Sequence, residues 1–190
     1  MDGMDGLAGG LSFIASVFFF VVAFQTGQRI LGILSAAVAG ASLGFLPHNF
    51  HPAKIYMGDA GSTFLGFALA SLGLLSCLGN ERLSVGFTMS LLILGIPIFD
   101  MCYTTVSRFR SKVVVNIPEW LTYTGKDHFH HRLSRLGFSV RQTVLLIFCL
   151  SLCLGLSALT LSRAALTEAV MSVIQAGFIF LMISVLMLAG

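Results

Sequence analysis

The sequence predicts an all-α polytopic membrane protein, and three observations carry this prediction. Of the 190 residues 56% are hydrophobic and only 10% are charged, whereas the surface of a soluble domain is rich in charged side chains. The mean hydropathy is +0.93. The apolar runs reach the roughly 17–25 residues that a helix needs to cross a bilayer, and they lack the alternating pattern of a transmembrane β-strand.

Six apolar runs are predicted to span the membrane. They cover residues 7–24, 30–46, 63–79, 84–106, 143–161 and 170–189. Pro97 lies within the fourth run and is expected to bend that helix, because proline donates no backbone hydrogen bond and its ring clashes with the preceding turn. No internal repeat and no soluble segment divides the chain, so residues 1–190 are predicted to form a single membrane domain.

The charged loops predict the orientation of the chain. The loop at residues 107–142 carries seven of the eleven lysines and arginines, namely Arg108, Arg110, Lys112, Lys126, Arg132, Arg135 and Arg141. Because basic loops stay on the cytoplasmic side, this loop, the loop at 47–62 and both termini are predicted to be cytoplasmic. The basic residues are read as topology signals, so the net charge of +3 gives no reason to expect a nucleic-acid partner.

The chain begins with MDGMDG, which places Asp2 and Asp5 directly before the first apolar run. One interpretation is helix capping, because acidic residues at a helix N-terminus complement its dipole. The other is contact with a metal ion or a substrate. An EF-hand loop is excluded, since its ligand spacing and terminal glutamate are missing. The stretch alone leaves both interpretations open.

A second polar stretch, HNFHPAKIYMGDAGS, occupies residues 48–62. Asp59 lies between glycines, and Ser62 or Thr63 could cap the helix that follows. A helix N-terminus attracts phosphate, but a carboxylate there repels phosphate unless a cation such as Mg²⁺ lies between them. Asn49 and Tyr56 could hold a flat heterocycle by hydrogen bonding and stacking. The alternative is a capped turn without a ligand.

The third polar stretch is Asp127-His128-Phe129-His130-His131-Arg132. Its three histidines and its arginine could bind zinc, bind phosphate or transfer protons. No cysteine lies nearby to complete a zinc site, and Arg132 beside the histidines favours an anionic ligand. A solvated basic loop without a ligand is the alternative.

Asp100 lies inside the fourth apolar run, in the sequence GIPIFDMCYTTV. An ionisable residue within a membrane span is a functional candidate by default. It could equally be a structural acid that bonds to a neighbouring helix or to Thr104, one turn further on. The three loop stretches are predicted to lie on one side of the membrane, where they could form a single active site.

In this order the chain contains DGMDGLAGG, PAKIYMGDAGSTFLG, PIFD before a basic stretch, DHFHHRL and the downstream Gly137. Together these motifs resemble the polyprenyl-phosphate N-acetylhexosamine-1-phosphate transferases of glycosyl transferase family 4, and the resemblance covers essentially the whole chain. DHFHHRL is similar to the branch that transfers GlcNAc-1-phosphate for teichoic acid, O-antigen lipopolysaccharide or related glycans. The branch that transfers phospho-MurNAc-pentapeptide has three consecutive histidines there.

The resemblance implies a reaction and a cofactor. A UDP-sugar would donate N-acetylhexosamine 1-phosphate, expected to be GlcNAc-1-phosphate, to polyprenyl phosphate, and UMP would be released. This phosphosugar transfer would initiate a cell-envelope glycan. Mg²⁺, or Mn²⁺ in its place, would neutralise the charge of the diphosphate. The lipid keeps its tail in the bilayer while its phosphate meets the nucleotide, so the carboxylates are expected at the end of a span.

The resemblance also assigns roles to residues. Asp59 would be the Mg²⁺ ligand, with Asp5 near the metal and the nucleotide. The other catalytic candidates, His130 and His131, would contact the phosphates. The substrate-binding candidates are Asp2, Asn49, Tyr56, His128 and Arg132. Asp100 matches an acidic position to which the resemblance gives no definite role.

The resemblance places the protein in the bacterial cytoplasmic membrane, with UDP-sugar, polyprenyl phosphate and membrane lipid as partners and a homodimer by analogy. Family members carry an Asp-Asp pair in an earlier cytoplasmic loop, and this sequence contains none. We therefore expect the chain to correspond to the C-terminal part of a longer transferase and to hold half of an active site. The alternatives are a non-catalytic fragment that needs a separate N-terminal half and, with less support, an anion transporter.

Overall fold

The structure, a computed structural model, describes residues 3–80, 82–111, 113, 116, 128–161 and 166–189. This part of the chain forms eight helices and no β-strand, which confirms the all-α fold class. The helices are α1 (Leu7–Thr26), α2 (Arg29–Asn49), α3 (Gly58–Leu78), α4 (Leu83–Ile93), α5 (Gly95–Arg110), α6 (Phe129–Arg135), α7 (Val140–Leu161) and α8 (Leu166–Ala189).

Helix α1 lies at the centre of the bundle. It packs against α2, α3, α4 and α7, and α7 in turn contacts α4, α5, α6 and α8. The buried side chains of α1 include Leu7, Leu11, Phe18, Phe19 and Val22. Glycine in the left-handed conformation marks both ends of α1, Gly6 before the helix and Gly27 after it. Only glycine adopts this conformation without a steric cost, because it has no Cβ.

The close approach of α1 and α7 requires a glycine at position 155. A methyl group there would collide with the buried ring of Phe18. We expect Gly155→Ala to destabilise the protein by about 1–3 kcal/mol, the usual cost of overpacking a core. Gly40→Ala is the control, because a Cβ at Gly40 meets no atom of the described residues within 4 Å and alanine favours a helix. Thermal unfolding of both variants in detergent checks this expectation, and equal midpoints would contradict it.

The fourth predicted span is not one straight helix. Helix α4 ends at Ile93, α5 begins at Gly95, and the two axes differ by 76°. Pro97 accounts for the position of the break, because a proline ring clashes with the carbonyl group four residues earlier, here that of Ile93, and fits in the first turn of a new helix. The predicted bend is present and divides the run at 84–106 between α4 and α5, and its crossing of the membrane as one bent span stays a prediction.

Among the described residues, four helices are long and apolar enough to cross a membrane, namely α1, α2, α3 and α7, and the bent pair α4–α5 would make a fifth span. Helices α1, α2 and α7 match the predicted runs 7–24, 30–46 and 143–161, whereas α3 begins at Gly58, before the predicted 63. The described apolar part of α8 is Ile174–Val185, so the sixth crossing stays a prediction.

The short helix α6 is fixed to the bundle by two apolar side chains. Phe129 and Leu133, one helical turn apart, are buried in the same core as α1 and α7. Shortly after the helix, Gly137 turns the chain with a φ of 94°, a value that other residues rarely adopt. The histidines beside Phe129 are thereby held against the end of the bundle.

Candidate functional site

Three polar segments that are far apart in the sequence meet at one end of the bundle. They are the loop before α1, the loop between α2 and α3, and the start of α6. Gly3 lies so close to His130 that a methyl group at Gly3 would collide with Nε2 of that ring. At the start of α7, Arg141 donates to the carbonyl oxygen of His51 at 3.4 Å. The predicted meeting of the loops is observed for these residues, while Asp2 and Asp127 lie outside the described residues.

Asp5 does not cap α1. The N-cap of that helix is Gly6, whose own residue type offers no capping side chain. Instead, Oδ2 of Asp5 accepts hydrogen bonds from Nδ1 of His51 at 2.8 Å and from the backbone N–H of Ala53 at 3.1 Å. The bond from His51 and then that from Ala53 lower the pKa of Asp5, because both stabilise the ionised carboxylate. The carboxylate therefore joins the loop before α1 to the loop after α2.

Asn49, the last residue of α2, ties the same two loops together. Its Oδ1 accepts a hydrogen bond from the backbone N–H of Gly6 at 3.0 Å, and its Nδ2 donates to the carbonyl oxygen of Ile55 at 2.9 Å. The residue is only 6% exposed. This geometry gives Asn49 a structural task, and its contact with a substrate stays a prediction.

Asn49→Ala is expected to leave the N–H of Gly6 without its buried acceptor and to cost about 1–3 kcal/mol of stability. His48→Ala is the matched control, since His48 is the preceding residue and is exposed. Thermal unfolding of the two variants in the same detergent is the measurement. If Asn49→Ala unfolded at the same temperature as His48→Ala, water would be an adequate substitute for both bonds.

Asp59 lies in the first turn of α3 and is exposed. The positive end of the helix dipole favours a carboxylate at this position. Because α3 begins at Gly58, Ser62 and Thr63 lie inside the helix, and the prediction that one of them caps it is wrong. The hydroxyl group of Ser62 instead donates to the carbonyl oxygen of Asp59 at 3.2 Å.

This end of the bundle carries oxygen donors of the kind that Mg²⁺ uses. Among the residues that the structure describes, no three histidine, cysteine, aspartate or glutamate side chains are grouped to hold a metal ion by themselves. Mg²⁺ needs no such cage, because one or two carboxylates commonly bind it while water and substrate phosphates complete its shell. The exposed carboxylate of Asp59 and the ionised carboxylate of Asp5 are oxygen donors of this kind.

Asp100 is buried and bonds to the histidine stretch. Its Oδ2 lies at hydrogen-bond distance, 2.8 Å, from Nδ1 of His128, and its Oδ1 accepts a hydrogen bond from the backbone N–H of Phe129 at 2.7 Å. The hydroxyl group of Thr104 donates to the backbone carbonyl oxygen of Asp100 and not to its carboxylate. Of the partners considered from the sequence, Asp100 therefore bonds to another helical segment, the one that carries the histidines.

His130 is buried, and neither of its ring nitrogens has a hydrogen-bond partner among the described groups. The residue is 1% exposed. Its ring centroid lies 5.9 Å from that of His128, in a parallel stack, and 4.2 Å from that of His131. Burial, followed by the charge of His131, lowers the pKa of His130 to about 3 against the opposing effect of Asp100. A ring held in this way costs stability, which marks it as a functional candidate.

The other candidates lie nearer the surface. The guanidinium group of Arg132 lies over the ring of Tyr103, 5.6 Å from its centroid, within reach of a cation–π interaction. Tyr56 is 75% exposed, so its ring is open to stacking on a flat ligand.

Sequence reasoning assigned no role to His51 or Tyr103. These two residues are recognised only by their contacts with residues far away in the sequence. His51 and Asp5, for example, are 46 positions apart, and no local spacing predicts such a pair.

A cavity of about 280 Å³ opens beside the pair formed by Asp100 and His128. It lies between α1, α3 and α5. Its wall is mainly apolar and includes Leu65 and Leu69, and Ser12 and Ser62 are further polar residues that line it. A mainly apolar cleft with a few polar groups is typical of a ligand site. A ligand with an apolar chain and a polar head has matching surroundings here.

The family and the relatives that this chain matches agree with one another. Residues 1–77 match the profile of Glycosyl transferase family 4. The chain is 39% identical over 166 residues to a probable undecaprenyl-phosphate N-acetylglucosaminyl 1-phosphate transferase of Bacillus subtilis (strain 168), covering 87% of this chain and 44% of that protein. A decaprenyl-phosphate N-acetylglucosaminephosphotransferase of Mycobacterium tuberculosis (strain ATCC 25618 / H37Rv) is 34% identical over 166 residues, covering 78% and 40%.

A third relative comes from a differently named group. It is a phospho-N-acetylmuramoyl-pentapeptide-transferase of Clostridium botulinum (strain Eklund 17B / Type B), 36% identical over 161 residues, with 80% of this chain and 44% of that protein covered. The chain therefore spans less than half the length of the three relatives.

Proposed function

Since this chain belongs to glycosyl transferase family 4, we propose that it forms the C-terminal part of an enzyme that transfers GlcNAc-1-phosphate from UDP-GlcNAc to polyprenyl phosphate and releases UMP. The observation that carries the proposal is the meeting of the Asp5 loop, the start of α3 and the α6 histidines at one end of a bundle of apolar helices. A charged nucleotide and a lipid phosphate can meet only at such a boundary. The transfers that the relatives are named for support the proposal.

The donor would lie over the exposed end of the bundle. Tyr56 would stack on the uracil ring, and Arg132 with His131 would balance the charge of the diphosphate. Asp59 and Asp5 would hold Mg²⁺, or Mn²⁺ in its place, which when bound neutralises the charge that develops on the diphosphate. Asn49 would keep the two loops at a fixed separation and so position Asp5 relative to Tyr56.

The reaction asks for little covalent chemistry from the protein. An oxygen of the lipid phosphate forms a bond to the phosphorus that carries the sugar, and the bond from this phosphorus to the oxygen of UMP breaks. The electron pair leaves on UMP. Positioning and charge stabilisation supply most of the catalysis in such transfers, which is consistent with a site built from charged loops on a rigid helical end.

The proposal includes the orientation of the helix bundle in the membrane. The end of the bundle that carries the site would face the cytoplasm of a bacterial cell, where basic residues are retained and where UDP-sugars are available. Arg132, Arg135 and Arg141 all lie at this end. Membrane lipid surrounds the helices, and a homodimer would follow by analogy with the family.

UMP release tests the proposed function. Membranes that contain the chain are given UDP-GlcNAc, undecaprenyl phosphate and Mg²⁺, and two forms are compared: the chain alone, and the chain fused behind the part of the Bacillus subtilis relative that precedes the aligned segment. We expect UMP that depends on both lipid and metal. Release by the fusion only would show that an upstream part completes the site. If neither form released UMP while the intact relative did, the proposal would be refuted.

A further inference from the structure

The contacts of Asp100 relate the tautomer of His128 to the ionisation of the carboxyl group. Oδ1 of Asp100 is taken by the backbone N–H of Phe129 at 2.7 Å, and Oδ2 lies 2.8 Å from Nδ1 of His128. With Asp100 ionised, its oxygens only accept hydrogen bonds, and Nδ1 of His128 then carries a proton. In the neutral ring Nε2 is then unprotonated and can accept a hydrogen bond or a proton.

The surroundings hold the His128 ring in this orientation. Asp100 is 2% exposed and Phe129 is 1% exposed, so both partners are fixed in the core. The ring of His130 lies parallel to that of His128, with 2° between their planes. His128 itself is partly exposed and lines the cavity between α1, α3 and α5. Because Nδ1 is engaged by Asp100, Nε2 is the ring nitrogen with which His128 would bind a ligand.

We propose that Asp100 is a positioning residue that fixes His128 as the Nδ1–H tautomer, so that Nε2 can take the proton of the lipid phosphate that attacks the donor. This inference rests on the proposed transferase function and deepens it. The cavity suits such an acceptor, since Leu65 and Leu69 offer an apolar wall for an isoprenoid chain. Ser62 and His128 are polar groups that a phosphate head can contact.

The step balances without any further reactant. The O–H proton of the lipid phosphate monoanion passes to Nε2 of His128, and the freed oxygen forms a bond to the phosphorus that carries the sugar. The bond from that phosphorus to UMP breaks, and its electron pair leaves on the UMP oxygen. The carboxylate of Asp100 stabilises the imidazolium that forms at His128. Loss of the proton to solvent after UMP departs restores the starting tautomer.

Asp100→Asn tests the pair, because it keeps the shape of the side chain and changes its hydrogen bonding. The backbone N–H of Phe129 needs an acceptor and takes the amide oxygen, so the amide N–H₂ group faces Nδ1 of His128 and donates to it. His128 must then become the Nε2–H tautomer, which cannot accept a proton. Ring ¹⁵N spectra of the histidine-labelled chain in detergent, at about pH 8.5 where an ordinary histidine is neutral, report the tautomer.

The spectra are simple enough to interpret, because the chain has five histidines and His128→Gln identifies the signals of one of them. We expect a protonated Nδ1 at His128 in the wild-type chain and a protonated Nε2 in Asp100→Asn. Thr104→Val is the matched control, since it removes a buried hydroxyl group bonded to the carbonyl oxygen of Asp100 and leaves the carboxylate in place. This control should keep the wild-type tautomer. An unchanged tautomer in Asp100→Asn, or a protonated Nε2 in the wild-type chain, would overturn the inference.

Two further readouts separate this inference from the proposed transfer. Farnesyl phosphate should shift the Nε2 signal of His128 more than inorganic phosphate at the same concentration, and equal shifts would overturn the assignment to a lipid phosphate. In whichever form releases UMP, Asp100→Asn should lower kcat by about 10²–10⁴-fold with little change in KM for UDP-GlcNAc. A loss confined to KM would overturn the role in proton transfer. If no form released UMP, the transfer would fail, while the tautomer and the titration would still decide the role of Asp100.

Discussion

Replacing His130 by leucine is expected to stabilise the protein, and to do so increasingly as the pH falls. At neutral pH the change removes two buried ring nitrogens that have no partner among the described groups, and an apolar side chain of similar volume avoids the cost of burying them. Below about pH 6.5 the unfolded chain protonates its histidine at the ordinary pKa. Burial lowers the pKa of His130 to about 3, so the folded chain keeps the ring neutral over this interval.

The sign of the pH effect on stability depends on whether the folded or the unfolded state binds more protons. Between about pH 6.5 and the lowered pKa of about 3, the unfolded state binds one proton more than the folded state. Wild-type stability is therefore lost as the pH falls, by up to about 1.4 kcal/mol for each pH unit. The leucine variant lacks this contribution, while the neighbouring groups His128, His131 and Asp100 are the same in both proteins.

Denaturant unfolding in detergent at several pH values between about 8 and 4 measures the difference between the two proteins. His48→Leu is the control, since His48 is exposed and its loss should leave the pH profile close to that of the wild type. Parallel profiles for wild type and His130→Leu would mean that the folded protein solvates or protonates His130. They would remove the argument that this ring is retained at a cost to stability.

Asp59→Asn is expected to reduce UMP release by at least about 100-fold in whichever form of the chain is active. A neutral amide oxygen is a weaker ligand for Mg²⁺ than a carboxylate, and a loss of charge stabilisation at one point of a transfer site costs about this much. Asp59 is exposed at the start of α3, so the change should leave the fold intact. The measurement is kcat as a function of Mg²⁺ concentration, and the half-saturating concentration should rise.

Thr63→Val is the matched control for this prediction. Thr63 lies one turn after Asp59 on α3 and is exposed, and valine keeps its shape. The control should retain the wild-type rate and the wild-type Mg²⁺ dependence. An Asp59→Asn variant that behaved like Thr63→Val would remove Asp59 from the metal site and leave its carboxylate as a favourable charge at a helix end.

The sequence was sufficient for α1, α2 and α7, because an apolar run of bilayer length has few other ways to satisfy its backbone. It was also sufficient to predict a bend near Pro97. The start of α3 was placed late, because Asp59, Gly61 and Ser62 read as a polar turn although they occupy the first turns of a helix. Local composition could not show that a helix begins within this polar stretch, because the same polar residues also form part of the candidate site.

The candidate site was predictable as a set of segments and not as a set of bonds. The predicted topology put the Asp5, Asp59 and His128 segments on one side of the membrane. The partner of Asp5 is His51, and the partner of Asp100 is His128, 28 positions away. Such pairs depend on how helices pack, and no spacing within one segment encodes them. The burial of His130 likewise follows from the fit of α6 against the bundle.

The 76° break after α4 has a consequence for how the protein suits membranes of different thickness. Helix α4 packs against α3 and α7. Helix α5, which contains Asp100, runs at an angle to α4. The height of Asp100 is then set by the 11 residues of α4 and by contacts within the protein. The outer helices can tilt or change length to match a thinner or thicker bilayer. Lineages with different lipids could therefore reshape the outside of this bundle while the carboxylate and its histidine keep their relative height.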